Sequence, residues 1–140
     1  MEIPDLRVLK LLLESGVVVI CAGGGGIPVV RLENGSLVGV EAVIDKDASS
    51  ALLAAQLGAD ALLLLTDVDA VYQGYATPAA RLSIAQAREL VMPAGSMGPK
   101  VNAACDFAAS GGVSAIGRLQ DALAMLDGDA GTRITQAARP

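Results

Sequence analysis

The sequence contains no histidine, no tryptophan, one phenylalanine, two tyrosines and two cysteines. Without imidazoles, and with Cys21 and Cys105 far apart, a structural zinc site lacks its ligands. The apolar surroundings of both cysteines predict buried free thiols, not a disulfide or a nucleophile. Aromatic residues are 2% of a chain that is 53% hydrophobic. The core must therefore be built from Leu, Val, Ile and Ala held by elements of regular geometry, which favours a layered α/β domain. Long apolar runs are also missing: VVVICA (17–22) and ALLLL (61–65) fall far short of the ~20 residues of a membrane-spanning helix. The formal charge is −5 and the basic residues are scattered, which argues against binding nucleic acid through its phosphate backbone. The opening MEIPDLRVLKLLLESG starts with an acid and has helical spacing in place of a basic region, an apolar block and a cleavage site. A cytoplasmic protein that does not engage membranes is expected. At 140 residues the chain suits one domain, 1–140.

What is present is an alternation of strands and helices. Leu6, Leu9 and Leu13, between Pro4 and Gly16, predict a helix over 5–15 packed on a sheet. Val17–Ala22 reads as a buried strand breaking into Gly23-Gly24-Gly25-Gly26, whose bare backbone allows close approach to a ligand or another strand. The spacing of these glycines matches neither a dinucleotide fingerprint nor a P-loop. Asn34-Gly35 predicts a hairpin between 29–32 and 37–40. Alternating Val40, Ala42 and Ile44 predict a strand ending at Asp45, followed by a helix that stops at Gly58. Ala61–Leu65 predicts a buried strand, with the turn-rich TDVDAVYQGYATP (66–78) at its end, where ligands gather in open parallel sheets. Ser83 and Gln86 form a capping-box pattern for a helix reaching about Val91. MPAGSMGPK (92–100) is a small-residue loop leading to a helix with Pro99 and Lys100 in its first turn. Val113–Gly117, Leu119–Leu126 and Gly131–Ile134 read as strand, helix and short strand. The fold class implied is α/β, a mainly parallel sheet with helices on both faces.

The chain has three lysines, and two of them, Lys46 and Lys100, lie in stretches suited to a site. Phosphoryl transfer is catalysed mainly by positioning and neutralising charge with cations and backbone donors. Two lysines organised by Asp47 would serve that chemistry. Each group also has a plainer reading. Asp45-Lys46-Asp47 suits an exposed turn whose Asp47 caps a helix, Lys100 a solvated helix residue, and Thr66, Asp67 and Asp69 ordinary turn chemistry. Tyr72 and Tyr75 suit either the wall of a base pocket or packing.

GGGGIPVV (23–30), EAVIDKD (41–47), ALLLLTDVDAVY (61–72) and GSMGPK (95–100), in this order and at these intervals, resemble the carbamate kinases of the amino acid kinase family. The resemblance runs from about Ile3 to Ile134. It implies an αβα sandwich and reversible phosphoryl transfer between ATP and carbamate, giving ADP and carbamoyl phosphate, with Mg2+. By resemblance, Asp47 organises the catalytic lysines, Lys46 lies by the transferred phosphoryl group and Lys100 contacts ATP phosphates. Thr66, Asp67, Val68, Asp69, Val71 and Tyr72 match the nucleotide-binding segment, and Gly95, Ser96 and Met97 the loop before Lys100. QGYATP (73–78) departs from the family pattern around the adenine pocket. Only the second, nucleotide-binding half of the family is represented. The first half would carry much of the carbamate site, another functional lysine and most of the dimer interface. Partners implied are therefore nucleotide, carbamate or carbamoyl phosphate, and either an N-terminal half or a second copy. A noncatalytic nucleotide-binding remnant or regulatory partner is the second reading.

Overall fold

The computed structural model describes residues 3–73, 77–90 and 97–136. In chain order the elements are α1 (Leu6–Glu14), β1 (Val29–Arg31), β2 (Leu37–Gly39), α2 (Lys46–Leu57), β3 (Ala61–Thr66), β4 (Val71–Gln73), β5 (Thr77–Ala79), β6 (Arg81–Ser83), α3 (Ile84–Glu89), α4 (Met97–Ala109), β7 (Val113–Arg118), α5 (Ala122–Asp127) and β8 (Thr132–Thr135). A single 3-10 turn, Leu119–Asp121, precedes α5. The Leu119–Leu126 helix expected from the sequence is thus a 3-10 turn followed by a short α-helix.

Local chemistry accounts for most boundaries. Asp45 caps α2 with its side chain, and Gly58 ends that helix in the left-handed conformation at φ 71°, which costs glycine no Cβ clash. Ser83 and Gln86 form a reciprocal capping box on α3, which stops at Glu89, two residues short of the expected end. The Asn34-Gly35 hairpin is present, with Val29 opposite Gly39 and Arg31 opposite Leu37. Its turn is held by Asn34 Oδ1, which accepts from the Ser36 N–H at 3.0 Å.

The main sheet has the order β3-β7-β8-β6. β3 runs parallel to β7, and β6 parallel to β8, while β7 and β8 are antiparallel. The sheet is mainly parallel, as the alternation implied. Strand β6 was not anticipated, because three residues directly before a capping box carry too little period to read. Consecutive strand residues face opposite sides, and two positions on β7 identify the layers. Ser114 donates its hydroxyl to the Ala104 carbonyl of α4 at 2.7 Å. Gly117 faces α5, where a Cβ would come within 2.9 Å of the Met125 sulfur. Helix α4 supplies the densest part of the core, with Val101, Ala103, Ala104, Cys105, Phe107 and Ala108 all buried. Its small residues allow close approach to Ala51 and Ala54 of α2, which belong to the same cluster.

The N-terminal third departs from expectation. Helix α1 has no buried residue and meets α2 instead of a sheet. Residues 17–22 form no strand, and Val18 and Ile20 are exposed. An apolar run becomes a strand only when a neighbour completes its ladder, and no described segment pairs with this one. Residues 40–45 likewise carry no ladder, because the pairing of β2 ends at Gly39. Cys105 is buried as expected, whereas Cys21 is exposed along with its segment. Among the described residues no helix is long and apolar enough to cross a membrane.

Candidate functional site

The site is built on the first turn of α2. Asp45 Oδ1 accepts from the N–H groups of Asp47 at 2.9 Å and Ala48 at 3.0 Å, satisfying two donors that a helix start leaves open. Capping by Asp45 frees Asp47 for another task. The Asp47 side chain turns inward, and its Oδ2 accepts from Lys100 Nζ at 3.0 Å. Lys46 Nζ stands 3.6 Å from the same oxygen. The two ammonium groups differ in access: the side chain of Lys100 is 9% exposed and that of Lys46 55%. One carboxylate therefore holds an enclosed cation and an open one, so that two ammonium groups offset the carboxylates of Asp45 and Asp47 at the N-terminal end of α2. That end also presents a partial positive charge from the helix dipole, so the arrangement suits an anion carrying several oxygens.

The glycine run supports this turn from behind. Gly25 is buried at φ +146°, and a Cβ there would run into the Ile44 carbonyl, so backbone passes where no side chain fits. Ser49, one turn into α2, donates its hydroxyl to the Gly25 carbonyl. The glycine loop is thus fastened to the residues leading into Asp45-Lys46-Asp47. The expected close approach is to the backbone of Ile44 and Asp45, which is not a strand, where a ligand or another strand was anticipated.

A second cluster follows β3. Thr66 Oγ1 donates to Asp67 Oδ1 at 3.1 Å, and the Tyr72 hydroxyl donates to Asp69 Oδ1 at 2.8 Å. That hydrogen bond holds the Asp69 carboxyl below its ordinary range and pushes the Tyr72 phenol up. Beyond the turn the chain forms a hairpin, β4 paired antiparallel with β5, with Tyr72 opposite Pro78. Thr132 fastens this hairpin to the sheet. Its Oγ1 accepts from the buried Val71 N–H at 2.7 Å and donates to the Ala79 carbonyl at 2.6 Å. A groove of about 420 Å³ beside the hairpin is lined by Asp69, Pro78, Arg118, Asp121 and Asp129, among others.

Of the residues singled out from sequence, the fold brings Lys46, Asp47 and Lys100 to one point. Thr66, Asp67, Val68, Asp69, Val71 and Tyr72 fall together at the end of β3 and the start of β4. Met97 opens α4, three residues before Lys100. Gly95, Ser96 and Tyr75 lie outside the described residues. Ser49 and Thr132 went unnoticed in the sequence: each is a hydroxyl within a regular element, and no local pattern marks a hydrogen bond to a distant carbonyl. Among the described residues no group of acidic or cysteine side chains is placed to hold a metal ion unaided.

The sequence profile described as the amino acid kinase family matches residues 2–116. The chain is 51% identical over 141 residues to a carbamate kinase of Rhizobium meliloti (strain 1021), covering 95% of this chain and 43% of that protein. A carbamate kinase of Haemophilus influenzae is 50% identical over 137 residues, with 94% and 44% covered. Among solved structures, carbamate kinase from Giardia lamblia bound to AMP-PNP superposes with a TM-score of 0.87 at 41% identity, covering 98% of this chain and 51% of that one. The chain thus spans about half the length, or less, of the carbamate kinases it matches.

Proposed function

The chain belongs to the amino acid kinase family, and from that premise we propose that it is the nucleotide-binding half of a carbamate-kinase-like phosphotransferase. The reaction is ATP + carbamate = ADP + carbamoyl phosphate, in either direction. The observation that carries this reading is the meeting of Lys46 and Lys100 on one oxygen of Asp47. In this reading Lys100, enclosed and fixed, contacts the nucleotide phosphates. Lys46, open to solvent, meets the phosphoryl group in transit. Asp47 is the organiser: it sets the separation of the two cations and takes no proton. A phosphoryl group in transfer spreads its charge over three equatorial oxygens, so fixed cations lower the barrier without reorganising.

In this reading Thr66, Asp67, Val68, Asp69, Val71 and Tyr72 hold the nucleoside side, and Gly95, Ser96 and Met97 contact the phosphates. That a solved relative, superposed on 98% of this chain, is bound to AMP-PNP supports a nucleotide as the ligand. Magnesium would arrive with the nucleotide. Cationic side chains face the phosphates and no all-protein metal cage exists among the described residues, so the ion would be held chiefly by phosphate oxygens and water. When bound, it neutralises charge on the phosphates.

Calorimetry with Mg-ADP tests the binding half of the proposal: saturable binding lost in Lys100→Ala is expected, and unchanged binding by that variant would refute its role. ATP formation from carbamoyl phosphate and ADP tests the catalytic half. The purified chain is expected to turn over little unless the missing portion is supplied. A second reading, a noncatalytic nucleotide-binding protein, is favoured by one observation: from Ile3 to Lys46 the sole buried residue is Gly25. Binding without turnover, even with the missing portion present, would select that reading.

A further inference from the structure

Among the described residues the buried polar and charged side chains are Asp47, Lys100, Ser114 and Thr132. Asp47 and Lys100 form the candidate site, and Thr132 pins the β4–β5 hairpin. Ser114, at 0% exposure, is left without a role. It stands on β7, the strand between β3 and β8, opposite Leu62 on one side and Ile134 on the other. Its hydroxyl donates to the Ala104 carbonyl at 2.7 Å and lies 3.4 Å from the Ile134 carbonyl. A serine has one proton to give, and the shorter contact takes it. One oxygen therefore joins the centre of the sheet to the middle of α4.

That bond is not needed to satisfy Ala104. In an α-helix the carbonyl of one residue accepts from the N–H four residues on, so the loss of the hydroxyl leaves no orphaned acceptor. Its value lies in direction. The buried residues of α4 are mostly small, with Ala103, Ala104, Cys105 and Ala108 among them. Such side chains allow close approach but raise few ridges against sliding along the sheet. Apolar contact is non-directional, whereas a hydrogen bond fixes a distance and an angle. The Ala104 N–H reaches back to the Lys100 carbonyl by the same helical rule, so the stapled turn is the one that carries the ammonium group. Lys100 Nζ stands 3.0 Å from Asp47 Oδ2, and a shift of about 1 Å along α4 would take that pair out of hydrogen-bond range. We propose that Ser114 is a positioning residue for Lys100: its hydroxyl fixes where α4 sits along the sheet, and with it where the ammonium group meets Asp47 and the ligand. The placement rests on geometry alone, and only the identity of the ligand rests on the functional reading above.

The test compares the full 140-residue chain with Ser114→Ala, which removes the hydroxyl, and with Ile134→Val, which trims the core at the register partner of Ser114 and leaves the bond in place. Two readouts are taken. The Lys100 methylene beside the ammonium group gives a 1H–13C NMR signal, assigned by its absence from Lys100→Ala, and calorimetry gives the affinity for Mg-ADP. In Ser114→Ala the Lys100 signal should move, and Mg-ADP should bind about tenfold more weakly, within the range that a misplacement of about 1 Å produces. In Ile134→Val both should stay as in the parent chain, even where the urea midpoint falls. An unmoved Lys100 signal in Ser114→Ala would overturn the proposal, as would the same movement in Ile134→Val, since either result makes Ser114 an ordinary core residue. The two readings fail separately. A moved signal with unchanged Mg-ADP affinity leaves the placement of Lys100 by Ser114 standing and refutes the phosphate contact. Weaker Mg-ADP binding with an unmoved signal refutes the placement and leaves the functional reading intact.

Discussion

Lys100 Nζ lies 3.0 Å from Asp47 Oδ2 across 53 residues of sequence, and both side chains are about nine-tenths buried. A buried ammonium is tolerable only with such a partner. Breaking the pair from one side leaves an uncompensated charge and costs about 3–5 kcal/mol. Asp47→Asn and Lys100→Met should each lower stability by roughly that amount in urea unfolding. The double variant Asp47→Leu/Lys100→Met should recover much of the loss, because apolar groups of similar volume replace a buried pair with little net change. Mg-ADP binding should remain absent in the double variant. Recovery of binding along with stability would show the pair to be structural only.

Lys46 tests the other cation. Its side chain is 55% exposed and 3.6 Å from Asp47, so solvent screening leaves the pair worth under about 1 kcal/mol of stability. Lys46→Ala should therefore unfold almost like the parent chain. In the complemented enzyme the same change should reduce turnover by about a hundredfold or more, the scale for losing one preorganised charge-stabilising group. Equal turnover would remove Lys46 from the mechanism.

Gly25→Ala should be disproportionately harmful for a change of one methyl group. The residue sits at φ +146° with the Ile44 carbonyl where a Cβ would go, so about 1–3 kcal/mol of strain is expected, together with displacement of the Ile44–Asp45 backbone. Ser49→Ala removes only the hydroxyl that holds the Gly25 carbonyl and should cost about 1 kcal/mol. Both variants should weaken Mg-ADP binding in calorimetry. Full binding in Gly25→Ala would mean that the loop does not set the position of Lys46 and Asp47.

The Asp69–Tyr72 hydrogen bond gives a pH-dependent signature. Because the folded-state carboxyl titrates below its ordinary value, its contribution to stability is present above the unfolded-state value. That contribution disappears as pH falls through the folded-state one. Tyr72→Phe deletes the leading cause, so the Asp69 resonance in a carboxyl-detected NMR titration should move up in pH. An unmoved midpoint would assign the lowering to the backbone and to Arg118 instead.

Thr132→Val keeps shape and removes two hydrogen bonds. The buried Val71 N–H would lose its acceptor and the Ala79 carbonyl its donor, and each unsatisfied buried group costs about 1–3 kcal/mol. The hairpin that begins at Val71 should loosen. Faster amide exchange at Val71, with weaker nucleotide binding, is the outcome to look for.

Much of the fold could be read from short stretches. The Asn34-Gly35 turn, the Ser83 cap and the Gly58 stop all depend on residues within about four positions of one another, so local sequence determines them wherever the segment ends up. Burial does not work that way. VVVICA has the pattern of a covered strand, but cover is supplied by neighbours, and no described segment pairs with it; Cys21 is exposed along with it. Hydroxyls such as Ser49 and Thr132 bear no mark in sequence, since their acceptors lie 24 and 53 residues away.

By itself the sequence determined the approximate places of the helices, the layered α/β class and the residue types able to face phosphate. Resemblance to the carbamate kinases singled out Asp47 as their organiser; spacing alone left it a helix cap. Only the tertiary structure decided which carboxylate caps and which one binds. Asp45 takes the α2 donors, Asp47 turns inward, and α4 packs against α2 so that Lys100 arrives from the other side. The physical reason is that a helix cap is satisfied within one turn, whereas a buried charge needs a partner whose position is set by the packing of two distant helices.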